Sequence, residues 1–498
     1  MGGNGMTSSD TDMMAAEDRM YVDGTLRLAA SGERVDNLNP ATGEIIGTVT
    51  NAGATDMEDA LAAARRAFDD TDWATNREFR QHCLLQLHDA LQTEKEAFRA
   101  ELIAEAGATA MTTHMFHLDW PIAEAVRWPA EYISHYQWER QLEPDTKVAS
   151  PATRMVVKEP IGVVGAITPW NFPFEIISNK IGQVLATGNT MVLKPAMETP
   201  FSALRWGRII AEKTDIPAGV VNIVPAGDNA VAQTLLTDPR VDMVSFTGST
   251  DVGRLIQRLS AETMKRNLLE LGGKSAYLLL EDADLQTSLP GCIAAATHAG
   301  QGCALFTRLI VPRAKYAEAV EFATAAYAAI PVGDPTDPSI FCGPLISEKQ
   351  RTRVLDYIEV AQKEGARITV GGGIPDGFDR GYFVSPTVLA DVTPDMRVFQ
   401  EEIFGPVLVV TPYDGGDDEA VALANDSLYG LAGAVFGSPD RARAAAGRIR
   451  AGTVSVNGAM IYGADAPFGG YRLSGIGRQN GHEGFEQHLQ TKSLAFPS

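Results

Sequence analysis

The chain has 498 residues, 45% of them apolar and 21% charged, with a formal net charge of −21. Such a length exceeds one ordinary hydrophobic core and predicts two or three domains of a soluble globular protein. The acidic balance excludes non-specific binding to nucleic acid or an anionic membrane, which needs a basic face, but leaves phosphate-bearing cofactors open.

Residues 1–20 are small, polar and acidic, with neither a basic start nor an apolar core, and read as a disordered leader. Short strands and turns are expected at Tyr21–Gly24 and Asn39–Glu44. From Asp56 to Ala108, alanine and leucine recur at helical spacing, and a further helical stretch covers Leu118 to Gln137. Val148 to Pro160 alternates without helix signals, as an exposed strand pair would. From Gly162 the runs GVVGAIT, NTMVLKP, VVNIVPA and DMVSFTG are short and β-branched, with helix-length segments between them. A second such series follows Ser275, with SAYLLL, RLIVP, ARITVGG, VLVVTPY and TVSVN. Strands alternating with helices predict parallel sheets covered on both faces, so the fold class is α/β with two tandem domains. No internal repeat is seen, and no apolar stretch is long enough to span a bilayer.

Four cysteines (Cys83, Cys292, Cys303, Cys342) without a CxxC pair make neither a disulfide framework nor a zinc site. Reduced thiols and a cytoplasmic location are expected. Cys83 and Cys292 lie in apolar helical contexts and read as packing residues, and Cys342 has no base motif nearby. His114-x-x-His117 lacks a carboxylate–histidine pattern, so no metal is expected. Cys303 differs, because it closes the run Gly300-Gln301-Gly302-Cys303 and a candidate base, Glu270, stands 33 residues earlier at the head of Glu270-Leu271-Gly272-Gly273-Lys274. A cysteine serves as a nucleophile where its surroundings favour the thiolate and a base handles protons or water.

Three upstream segments could complete a site. Gly248 and Ser249 fall between a strand and a helix, where backbone N–H groups and a hydroxyl can meet a phosphate; a plain N-cap is the commoner meaning of such a turn. The GxGxxG fingerprint is absent. Lys194 ends another strand, where a ribose or phosphate could lie, although a solvated charge is the ordinary reading. Pro169-Trp170-Asn171-Phe172-Pro173 is a stiff segment directly after a strand, and an amide fixed there could donate to a developing oxyanion.

Taken in order, PWNFP, the Lys194 strand end, FTGSTDVG, ELGGKS, GQGC, EEIFGPV and PFGGYRLSGIGR resemble the aldehyde dehydrogenase superfamily from about Tyr21 onward. The resemblance implies a Rossmann-like cofactor domain (21–139 and 160–272), a catalytic domain (273–472) and an oligomerisation element (140–159 and 486–498), assembled as a homodimer or homotetramer. It implies Cys303 as nucleophile, Asn171 as oxyanion donor and Glu270 as base, in a cycle that oxidises an aldehyde to its acid through a thiohemiacetal and a thioester. Thr168, Trp170, Lys194, Gly248, Ser249, Glu402 and Phe404 are implied to hold NAD. Phe172, Tyr462 and Phe468 would line the aldehyde channel, with Met115, Ile176, Ile461 and Phe306 as further candidates. That lining suits an apolar aliphatic, aromatic or terpenoid aldehyde.

The sequence departs from the family pattern at several positions. Met197 replaces a glutamate that binds the adenosine ribose in many NAD-preferring members, with Glu198 beside it, which leaves NADP use open. Gln479 replaces a glutamate thought to assist proton relay through a lysine such as Lys180. Arg472 stands for the usual lysine, away from the reacting atoms, and His298 stands where asparagine is usual. Two other readings remain: a CoA-acylating semialdehyde dehydrogenase, which generally lacks the base at position 270, and a non-catalytic binding protein on the same scaffold.

Overall fold

Five parallel strands form the centre of the first sheet, in the spatial order Arg266–Glu270, Met243–Thr247, Val163–Ile167, Thr190–Lys194, Val221–Ile223. The computed structural model describes residues 16–143 and 152–497. Helices Pro173–Ala186, Pro200–Lys213, Asn229–Thr237 and Thr250–Ser260 connect these strands in turn. Strand residues here are apolar and mostly buried, as a sheet covered on both faces requires. The order reverses between Val163–Ile167 and Met243–Thr247, and in open α/β sheets ligands bind beyond the carboxyl ends at such a reversal. Antiparallel strands close both sides: Gly475–Ile476 on Arg266–Glu270, and Met20–Val22 on Val221–Ile223.

A second sheet has seven strands in the order Arg367–Val370, Thr387–Ala390, Val407–Tyr413, Arg308–Pro312, Ala276–Leu279, Ala432–Phe436, Thr453–Val456. All its pairings are parallel except the first. Two parallel-sheet α/β units in tandem are therefore present, as expected. Among the parallel strands of the two sheets, three escape the sequence reading: Arg266–Glu270, Thr387–Ala390 and Ala432–Phe436. The last is the sequence AGAVF, whose alanines and glycine have little β preference; it is a strand because two neighbours bury it.

The helical stretch expected over Leu118 to Gln137 is broken into Asp119–Glu124 and Arg127–Tyr132, after a wide turn at Thr113–His117. Pro121 and Pro129 each fall in the first turn of their helix, where a missing N–H is tolerated, so the chain restarts a helix before each proline. A third sheet pairs Leu489–Pro497 with Ala152–Pro160 over nine registered pairs and adds Glu139–Gln141 on the far side. Residues 144–151 and 498 of the expected oligomerisation element, and 1–15 of the expected leader, lie outside the described residues. Met20, placed in that leader by the sequence reading, is fully buried in the strand Met20–Val22.

Candidate active site

The Cys303 loop is bent by its backbone. At the end of the 3₁₀ segment Leu289–Gly300, His298, Ala299 and Gly300 have φ of 49°, 51° and 73°. The left-handed region costs a non-glycine residue about 1–2 kcal/mol, so the neighbours must hold this turn in place. Gln301 is one such holder. Its amide nitrogen donates to the carbonyls of His298 (3.1 Å) and Pro344 (3.3 Å), and its amide oxygen accepts from the Ile346 N–H at 2.9 Å. Asn171 is another: its Nδ2 donates to the Gln301 carbonyl at 2.8 Å, which brings the expected oxyanion donor to the Cys303 loop. The second Nδ2 hydrogen has no described partner.

Glu270 ends the strand Arg266–Glu270 and is 4% exposed, with neither carboxylate oxygen hydrogen-bonded. The segment after it packs directly on the Cys303 loop, since a Cβ at Gly273 would stand 2.4 Å from the Cys303 carbonyl oxygen. Burial holds the Glu270 carboxyl well above its usual range, and Lys180 and Arg478 oppose this only in part. The half-buried Cys303 is likewise pushed up, first by burial and then by the negative fields of Glu402, Glu270 and Glu175. These surroundings raise the proton affinity of the thiol.

Lys180 is buried and brought down to about 8 by desolvation, while Glu270 and Glu175 pull it upward. Its Nζ donates to Ser245 Oγ at 2.9 Å. Gln479 is bonded through its backbone to Phe468 in both directions at 2.7 Å, and its side-chain oxygen is buried without a partner. No hydrogen bond joins Lys180 to Gln479 among the described residues.

The candidate cofactor residues gather at the sheet reversal. Thr168 follows Val163–Ile167, its N–H donating to the Lys194 carbonyl at 3.2 Å and its Oγ1 buried without a partner. Lys194 is half-buried at its strand end, lowered by burial, and its Nζ meets no described hydrogen-bond partner. Ser249 caps the helix Thr250–Ser260, accepting from the Val252 N–H at 3.4 Å, so the bland reading of that turn holds alongside any other. Gly248 ties this turn to Glu270, donating its N–H to the Glu270 carbonyl at 3.0 Å. Glu402 Oε1 accepts from the Gly273 N–H at 2.9 Å, and burial raises its carboxyl to about 7. Trp170 and Phe404 meet edge to face, with centroids 5.5 Å apart.

The channel candidates divide. Tyr462 and Phe468 pack edge to face at 5.5 Å. Phe172 stacks on His117 at 4.3 Å and lies 5.3 Å from His298. Phe306 packs against Tyr277, Ile176 is buried, and Met115 is exposed. Two polar residues here were missed by the sequence reading. Glu175 and Asn179, four apart on the helix Pro173–Ala186, are joined by a hydrogen bond from Asn179 Nδ2 to Glu175 Oε1, and the same nitrogen donates to the Tyr462 hydroxyl at 2.7 Å. The i, i+4 spacing just after PWNFP was the available signal. Cys83, Cys292 and Cys342 are buried and unpaired. No metal-binding group of His, Cys, Asp and Glu occurs among the described residues.

The profile of the aldehyde dehydrogenase family matches residues 28–494. A 3-succinoylsemialdehyde-pyridine dehydrogenase of a Pseudomonas species is 40% identical, with 95% of this chain and 97% of the relative covered. An aldehyde dehydrogenase of Mycobacterium tuberculosis, solved with NAD+, is 41% identical with a TM-score of 0.92, covering 96% of this chain and 98% of that one. A mutant of aldehyde dehydrogenase C from Pseudomonas syringae, solved with NAD+ and octanal, is 37% identical with a TM-score of 0.91, covering 96% of each chain.

Proposed function

The chain belongs to the aldehyde dehydrogenase family, and on that premise we propose that it oxidises an aldehyde to its carboxylic acid with NAD, using Cys303, Asn171 and Glu270. The observation that carries this reading is the meeting of the Asn171 amide and the unpartnered Glu270 carboxylate at the Cys303 loop. Because the thiol is held neutral, a base must take its proton, and Glu270, whose burial raises its proton affinity, suits that task. The thiolate attacks the aldehyde carbon, and the carbonyl oxygen becomes an oxyanion facing the free Asn171 N–H. One such donor lowers the barrier by roughly 3–4 kcal/mol. NAD, when bound, supplies the acceptor for the hydride that leaves the former aldehyde carbon. A thioester remains on Cys303; once Glu270 has released the thiol's proton to solvent, it takes a proton from water, the hydroxide attacks the acyl carbon, and the acid departs with regeneration of the thiolate.

The strand ends fit a dinucleotide: the orphaned Thr168 Oγ1, the unpaired Lys194 ammonium and the N-terminus of Thr250–Ser260 are donors without an internal anion. Met197 packs against the first core instead of presenting a carboxylate, and exposed Glu198 acts on Lys194. NAD preference then rests on Glu198, and kcat/KM with NAD and NADP measures it. Phe172, Tyr462 and Phe468 support an aldehyde with an apolar body. The exposed outer strand Leu489–Pro497 supports a homodimer or homotetramer, because a long free edge calls for cover. No described helix is long and apolar enough to cross a membrane, and the unpaired cysteines support a reducing, cytoplasmic setting.

The test is NADH formation across an aldehyde panel, with and without CoA, with Cys303→Ala as the blank. Acid formation without CoA is the expected result. Dependence on CoA would establish acylating chemistry, and no reduction under either condition would favour a binding protein.

A further inference from the structure

We propose that Glu175, Asn179 and Tyr462 form a recognition site for a protonated amine carried at the far end of the aldehyde, so that the preferred substrates are amino aldehydes. This inference rests on the reading of Cys303 as the nucleophile and of Tyr462 and Phe468 as channel wall.

The three side chains form one connected group. Asn179 Nδ2 spends its two hydrogens on Glu175 Oε1 and on the Tyr462 oxygen. Tyr462 in turn leans on Phe468. Glu175 shares the helix Pro173–Ala186 with Lys180, and the hydrogen bond from Asn179 to Tyr462 joins the group to the channel wall.

What marks Glu175 is its lack of partners. Glu175 is half-buried, and the buried glutamates outside the site are well supplied by comparison: Glu17 pairs with Arg19, Glu101 pairs with Arg205, and Glu105 accepts from Asn37 and from the N–H groups of Phe201 and Ser202. Glu175 has one hydrogen bond, from an uncharged amide, and no ion pair among the described residues. The cation acting on it, Lys180, also serves Glu270 and donates to Ser245. Burial raises the Glu175 carboxyl to about 8, which a second cation would reverse.

An ammonium supplies what this group lacks. It brings three N–H donors and a positive charge to a carboxylate, with the rings of Tyr462 and Phe468 as cation–π faces. A carboxylate-bearing semialdehyde would meet repulsion there. An alkanal would leave the carboxylate unpaired, and sites built around a buried polar group reject analogues that cannot pair with it.

The experiment compares 3-aminopropanal with butanal, which has the same number of heavy atoms and the same carbonyl, and includes succinate semialdehyde. The wild type, Glu175→Gln and Glu175→Leu are assayed with NAD, with Cys303→Ala as blank. The readout is the ratio of kcat/KM for 3-aminopropanal over butanal. A ratio of about tenfold or more in the wild type is expected, lost in Glu175→Gln and inverted in Glu175→Leu. Succinate semialdehyde should be the poorest substrate of the wild type. A wild-type ratio near one, or one unchanged by Glu175→Leu, overturns the inference while Cys303-dependent oxidation of butanal leaves the proposed function standing. Should neither aldehyde be oxidised, the function itself fails, and thermal stabilisation by propylamine, present in the wild type and lost in Glu175→Leu, still decides the amine site.

Discussion

The buried pair His117 and His298 makes acidification a sharp probe of this site. The two imidazoles meet edge to face at 4.4 Å, both are 0% exposed, and none of their four ring nitrogens has a hydrogen-bond partner. Burial pushes His298 down to about 3, with the nearby Asn171 backbone opposing, and takes His117 well below its ordinary 6.5. Folded His298 is therefore neutral at pH 7 and still neutral at pH 5. In the unfolded chain a histidine titrates near 6.5, so between pH 7 and 5 it gains a proton that the folded protein refuses. Its stabilising contribution is complete above 6.5 and is lost as the pH falls toward 3. Linkage over the window from pH 7 to 5 gives a loss of about 2 kcal/mol from His298 alone.

Buried carboxyls run the other way. Glu402 at about 7 and Glu175 at about 8 are raised by burial, so they favour the folded state increasingly as pH falls through those values. The wild-type slope alone is thus a mixture, and the informative quantity is its difference from His298→Asn. Asparagine tolerates the left-handed backbone at this position. Urea unfolding followed by tryptophan fluorescence at pH 7 and pH 5 should show the wild type losing about 2 kcal/mol more than the variant. Equal losses in the two proteins would refute the reasoning, because His298 would then be taking its proton in the folded state.

Glu270→Gln should lose the rapid NADH burst as well as steady turnover, each falling about 10²-fold or more, read by stopped-flow absorbance, because this carboxylate takes the proton of the thiol as well as that of water. Because burial raises this carboxyl, its ionised fraction grows toward alkaline pH; wild-type kcat should climb with pH and the residual rate of the variant should not. Gly469→Ala places a Cβ 2.6 Å from Glu270 Oε1, so kcat should drop about tenfold or more with a smaller change in KM, measured by initial rates. Gln479→Glu adds a carboxyl where an amide oxygen is now buried without a partner; a changed kcat–pH profile is expected, and an unchanged one would remove the relay idea.

Much of the site was legible because its motifs carry their own geometry. PWNFP after a strand located Asn171, and the Cys303 loop followed from its glycines and Gln301, whose amide turns out to anchor the turn at three points. The strand under Glu270 was not legible: Arg-Asn-Leu-Leu-Glu has no alternation and little β-branching, and it is a strand through its pairing with Met243–Thr247 and Gly475–Ile476. The polar pair Glu175 and Asn179 was not legible for a related reason. Glu175 and Asn179 sit among Phe174, Ile176, Ile177 and Ile181, and a polar residue in an apolar helix gives no sign of which face it takes until the helix is docked.

The electrostatics of the nucleophile bear on that missed polarity. Burial, and the fields of Glu402, Glu270 and Glu175 to the extent that each is ionised, raise the Cys303 thiol while no substrate is bound. In such a chamber a neutral aldehyde leaves the potential as it was, whereas a cationic one neutralises part of it. An ammonium at Glu175 would then weaken one of the fields that hold the thiol neutral, lowering the work of forming the thiolate as the substrate arrives. Selectivity for an amine and activation of the cysteine would on this account be one electrostatic event, and the separation of kcat from KM in Glu175→Gln distinguishes it from binding alone: a loss confined to KM with 3-aminopropanal means recognition only, and a loss in kcat means that the substrate's charge helps to make its own nucleophile.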